Sequence, residues 1–130
     1  MSLNSTSTNV LYHLGLFYER QEDLDKAMFY FDKLIKEDCS FPPVFNAKGM
    51  IYDKLEKYPQ SYTEFSLAIE LDKNNSVFYH NRGCCLKNMG KYEESITDFL
   101  QSLALDPDNP ITYSNIGLVY RKMERFSEAI

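Results

Sequence analysis

The sequence predicts an all-α fold, an α-solenoid of antiparallel helix pairs. Three observations lead there. Four of the five glycines, Gly15, Gly49, Gly83 and Gly117, are separated by 34, 34 and 34 residues. A fixed period in the 20–50 range marks a stacked-repeat architecture. Within each period apolar residues recur at steps of three and four, as on one face of a helix, and no segment keeps the alternation of a strand. The prolines and the fifth glycine, Gly90, fall at the borders of these segments rather than in their middles.

The elements follow in order. Residues 1–7 form a polar leader, and units span 8–41, 42–75 and 76–109, with a partial fourth unit over 110–130. In the first unit Val10, Leu11, Leu14, Phe17 and Tyr18 form the first stripe. Gln21 to Asp23 break it, and Leu24, Ala27, Met28, Phe31, Leu34 and Ile35 form the second. Each unit is therefore two amphipathic helices of roughly 12–14 residues joined by a short turn. Pro42, Pro43 and Pro110 sit at the starts of first helices, where a missing N–H costs nothing. Pro59 falls in the first turn of a second helix, and Met89-Gly90-Lys91 marks a turn. The fourth unit ends within its second helix, so a fragment of a longer array is expected, and so is a homodimer through that half-unit.

Composition narrows the function. Apolar residues make up 44% and charged residues 25% of the 130, an ordinary globular balance. The net charge of −5 and pI near 5.0 argue against a nucleic-acid binder or a binder of anionic membrane. No apolar run approaches a membrane span, and Met1 to Asn9 do not read as a secretory signal. The three cysteines, an odd number, suit a reducing compartment, and the cytoplasm is expected, with nucleus or cilium equally compatible.

The unit from Ser76 to Asn109 carries Tyr79, Gly83, Leu86, Gly90, Tyr92, Ser95, Phe99, Ser102 and Pro107. Aligned with it are the structural positions Gly15, Gly49, Gly83 and Gly117, and the small residues Ala27, Ser61, Ser95 and Ala129. In these residues the chain resembles the tetratricopeptide repeat family over about Thr8 to Ile130. The resemblance implies a right-handed superhelix whose first helices line a concave face. Gly with its small partner should let paired helices approach, while Tyr79, Leu86 and Phe99 fill the space beside them. Lys48 and Arg82 depart from the apolar pattern just before the glycine. They either bury their stems and lift the charge to water, or form buried ion pairs.

No catalytic constellation is present. His13 and His80 lie about two units apart, and Cys84 and Cys85 are adjacent, so their side chains diverge on a helix. Cys39 falls in a connector. No enzyme activity, metal or cofactor is expected. The expectation is a non-catalytic module that holds a peptide or helix of a partner protein in the concave groove. The resemblance places Tyr12, His13, Leu16, Asn46, Met50, His80, Asn81, Cys84, Lys87, Asn115, Leu118, Arg121 and Lys122 there. Asn81 and Asn115 are equivalent, and similar proteins hold extended peptides with asparagine at this place. Tyr12, Leu16, Met50 and Leu118 are candidate apolar anchors. Lys87, Arg121 and Lys122 favour acidic residues toward the C-terminal units. The cationic clamp by which some relatives hold chaperone C-termini is missing. Its first-helix positions carry Tyr12 and Leu16, or Asn46 and Met50; its last-helix positions carry Val77 and Asn81, or Ile111 and Asn115. The alternatives are a scaffold or oligomerisation segment using the convex face or the ends, and the substrate-docking part of a larger enzyme.

Overall fold

The structure, a computed structural model, describes the backbone of residues 2–38 and 40–129 and the side chains of 7–38 and 40–124. Cys39 and the side chain of Ala129 lie outside the described residues. Among the described residues seven helices follow one another: α1 (Ser2–Arg20), α2 (Leu24–Glu37), α3 (Pro42–Lys54), α4 (Tyr58–Leu71), α5 (Ser76–Asn88), α6 (Tyr92–Leu105) and α7 (Pro110–Ala129). From α2 to α6 the lengths alternate between 14 and 13 residues, as the apolar periodicity predicts.

Each turn inside a pair is built alike. The residue seven after the glycine takes the left-handed conformation: Glu22 at φ 61°, Glu56 at φ 58° and Gly90 at φ 80°. Asp23, Lys57 and Lys91 then donate their N–H to Tyr18, Tyr52 and Leu86 carbonyls, each at 2.9 Å, closing the ends of α1, α3 and α5. Asp23, Asn75 and Asn109 accept from backbone N–H groups at the starts of α2, α5 and α7. Pro42 and Pro43 open α3, and Pro59 lies in the first turn of α4.

Two packing layers follow. Within a pair, fully buried Phe31, Phe65 and Phe99 lie on Gly15, Gly49 and Gly83. The small residue four before each Phe is also fully buried, and Ser61 and Ser95 donate their hydroxyls to the Gly49 and Gly83 carbonyls at 2.9 and 2.8 Å. It is thus the phenylalanine ring, not the small residue alone, that the glycine admits. Between pairs, each second helix packs on the next first helix: α2 on α3, α4 on α5 and α6 on α7. There Val44, Phe78 and Thr112, with Ile51, Cys85 and Val119, are buried.

Three expectations need correction, and one pair of alternatives is decided. The leader is not separate, because α1 begins at Ser2. No proline or glycine stands between Ser2 and Asn9 to stop it, and Thr8 is buried. The turn expected in the fourth unit does not form, and α7 runs unbroken through Glu124. Gly117 is exposed, and a Cβ there would meet nothing within 4 Å, unlike its three equivalents. Finally, Lys48 and Arg82 do not lift free charges to water. Lys48 Nζ lies 3.0 Å from Asp32 and 3.8 Å from Glu64. Arg82 makes a two-point contact with buried Asp98 at 2.7 and 2.9 Å and donates to Ser66 at 3.2 Å.

Candidate functional site

The first helices α1, α3, α5 and α7 stand side by side, each touching the next. Their side chains build one wall along the molecule. The helical step decides which residues reach it. Those three before, two before, one after and four after each glycine lie on one face, and polar contacts cross from unit to unit there.

Glu19 on α1 pairs with Lys54 on α3 at 3.3 Å. Asn81 on α5 donates its amide to Asn46 Oδ1 on α3 at 2.9 Å. His80 Nδ1 lies 2.8 Å from the Thr112 hydroxyl, and Lys87 Nζ donates to Asn115 Oδ1 at 3.2 Å, both joining α5 to α7. Cys84 Sγ sits 3.7 Å from His80 Nε2, and the Asn115 amide approaches both at 3.7 and 3.5 Å. Asn81 and Asn115 are therefore half-buried and engaged within the molecule, rather than standing free as the sequence suggests. Thr112 was not among the expected site residues. Its place five before Gly117 marks it as a packing position, and it is fully buried where it meets His80.

The apolar members divide by depth. Tyr12 is half-buried, its ring edge-on to Phe41 at 5.2 Å, and Leu16 is half-buried beside it. Met50 and Leu118 are each 41% exposed. His13 is exposed and bonds the Asn9 carbonyl within α1, and among the described residues no hydrogen bond links it to another helix. Ala47, which takes the place of Asn81 one unit earlier, is buried.

Charge is uneven along the wall. Glu19 and Lys54 neutralise one another at one end. At the other, Arg121 and Lys122 are exposed and, among the described residues, no ion pair engages them. Burial, and then the Lys87 charge, push His80 below its ordinary pKa, so it is held neutral. Burial raises the Cys84 thiol, which is no activated nucleophile, and raises Cys85 to about 11. Burial also raises Tyr12 and Asp53. Among the described residues no group of three His, Cys, Asp or Glu side chains could hold a metal ion. No described helix is long and apolar enough to cross a membrane. What this wall can do is present hydrogen-bonding edges, thioether and aliphatic surface, and positive charge to another chain.

Profiles of tetratricopeptide repeat families match residues 8–38, 42–75, 64–97 and 86–124. None of the curated proteins matches the sequence significantly. Among solved structures, the first repeat domain of human RPAP3 superposes with TM-score 0.89 at 22% identity, over 95% of this chain and 97% of that one. The first such domain of Spaghetti (RPAP3), bound to the HSP90 peptide SRMEEVD, gives 0.88 at 23% identity over 92% and 95%. The second domain of human RPAP3, in complex with the HSP70 peptide SGPTIEEVD, gives 0.84 at 21% over 90% and 98%. At such identities the likeness is one of fold.

Proposed function

The chain belongs to the tetratricopeptide repeat family, and we propose that it is a non-catalytic adaptor module holding an extended peptide or helix of a partner protein against the wall of α1, α3, α5 and α7. The observation that carries this reading is the wall itself. Polar and apolar side chains of the four helices line it, and polar contacts from α1 to α3, α3 to α5 and α5 to α7 tie neighbouring helices before any ligand arrives. Such preorganisation lowers the cost of binding. Two similar domains hold chaperone peptides, which supports a peptide as the ligand.

Tyr12, Leu16, Met50 and Leu118 anchor apolar ligand side chains. Asn81 donates to Asn46 and Asn115 accepts from Lys87, and all three keep spare donors and acceptors for a peptide backbone. Lys87, Arg121 and Lys122 receive acidic residues. The ligand differs from an acidic chaperone C-terminus, because the clamp positions carry Tyr12, Leu16, Val77 and Asn81, or Asn46, Met50, Ile111 and Asn115, none of them cationic. No cofactor, nucleic acid or membrane enters this reading, and the free thiols of Cys84 and Cys85 suit a reducing compartment such as the cytoplasm.

The test is selection of peptides from a tiled proteome library, followed by titration against wild type and Met50→Glu/Leu118→Glu. Both positions are 41% exposed, so the fold should tolerate the change. Affinity should fall by about tenfold or more as two apolar anchors are lost. Selected peptides that bind both forms equally would refute the wall as the site.

A further inference from the structure

One cluster on the wall has no counterpart in the earlier units. His80 and Cys84 stand one turn apart on α5, and Asn115 reaches them from α7. The same places hold Asn46, Met50 and Asn81 one unit earlier, and Tyr12, Leu16 and Ala47 two units earlier. Cys84 Sγ lies 3.7 Å from His80 Nε2, and Asn115 Nδ2 lies 3.5 Å from that nitrogen and 3.7 Å from that sulfur. The three atoms thus form a nearly equilateral triangle. The neighbours of the imidazole fix its tautomer. Both groups at Nε2 carry hydrogens to donate, so Nε2 is the bare nitrogen. Nδ1 bears the proton and donates it to the hydroxyl of fully buried Thr112 at 2.8 Å. An imidazole held through its far N–H by a buried acceptor is the arrangement that orients metal-ligating histidines.

The geometry points to His80, Cys84 and Asn115 as a site for a zinc ion. At a Zn–S distance of about 2.3 Å and a Zn–N distance of about 2.0–2.1 Å, a tetrahedral angle sets sulfur and nitrogen about 3.6 Å apart. The 3.7 Å between Cys84 and His80 meets this without any movement of α5. A half-turn of the Asn115 amide brings Oδ1 to where Nδ2 stands, and the triangle becomes one face of the tetrahedron. That turn gives up the 3.2 Å bond from Lys87 Nζ to Oδ1, and Lys87 swings to water on its flexible stem. Lys87 and Asp53, the two charges that act on Cys84, are of opposite sign, so the repulsion of a cation by the lysine is partly offset. On binding, the Cys84 S–H bond breaks, its proton passes to water, and sulfur ligates as thiolate; the zinc stays divalent. All three residues are half-buried rather than sealed, so water or a ligand group takes the fourth position. The third donor is an amide oxygen, which is why no trio of His, Cys, Asp or Glu marks the place. The site remains even if the wall holds no peptide.

The test is titration of the reduced 130-residue chain with zinc in competition with a chromophoric chelator, and with cobalt(II) as a spectroscopic probe. Expected is one ion per chain and, with cobalt, the charge-transfer absorption of a thiolate ligand. Cys84→Ser and His80→Gln should each weaken zinc binding by about 100-fold, and Thr112→Val, which frees the imidazole, by about tenfold. Zinc should raise the melting temperature of the wild type and leave that of Cys84→Ser unchanged. The metal-free melting temperature of each variant checks its fold, and Cys84→Ala is the second variant should Cys84→Ser melt early. Failure of the chain to take zinc from the chelator would overturn the proposal. So would equal binding by both Cys84 variants, loss of binding on Cys39→Ser or His13→Gln instead, or one zinc shared between two chains.

Discussion

At Gly49 an added Cβ would stand 2.6 Å from Cε1 of Phe65, and at Gly83 2.8 Å from the same atom of Phe99. Neither ring has anywhere to go, since both phenylalanines are fully buried. Gly49→Ala should therefore lose about 1–3 kcal/mol by overpacking, and Gly83→Leu at least as much, read as lowered melting temperatures. Gly117→Ala should instead gain up to about 1 kcal/mol, because nothing opposes the better helix former. Equal effects at the two sites would mean that the glycines act through backbone freedom rather than space. Arg82 makes a second case. Removing it strands the Asp98 carboxylate, and Arg82→Leu should cost about 3 kcal/mol, most of it recovered in the Arg82→Leu/Asp98→Leu double variant. The 34-residue spacing made these glycines legible in the sequence. That the ion pairs would close was not legible, because a lysine or arginine beside a glycine is equally consistent with a solvated head group.

Helix pairs close through a left-handed residue that the sequence does not insist on. Gly90 takes φ 80° freely, but Glu22 and Glu56 take it against their side chains. The packing of α2 and α4 back onto α1 and α3 compensates for that strain. Glu56→Gly should stabilise by about 0.5–1 kcal/mol, as the relieved strain exceeds the added chain entropy, and chemical denaturation would show it as a higher midpoint. A lower midpoint would mean that the Glu56 side chain holds the turn. In α7 the same place is Glu124, and the helix runs straight through it. The 34-residue register predicts a turn there as in the other units, and the pattern alone does not distinguish a turn that forms from one that does not.

Across the whole molecule, stability passes from unit to unit through second helices and through the polar contacts of the wall. His80 ties α5 to α7 in its neutral form. Its folded pKa lies below the ordinary value of 6.5, so on acidification through that value the unfolded chain takes up the proton first. This contribution is present at neutral pH, falls as pH drops from about 7, and levels off below the folded pKa. The melting-temperature gap between wild type and His80→Gln should therefore be largest at neutral pH and shrink by about pH 5. A gap that grows with acid would show that protonated His80 is the form the fold prefers. The sequence by itself determined the repeat, the lengths of α2 to α6 and the buried phenylalanines. These follow from local periodicity, which every unit states again. Only the tertiary structure decided that Asn81 and Asn115 bond to neighbouring units, that Thr112 meets His80, and that Tyr113, Gly117 and Tyr120 stay uncovered. Those outcomes depend on how one helix sits against the next, and a side chain's partner one unit away is set by tilt and distance rather than by its own spacing.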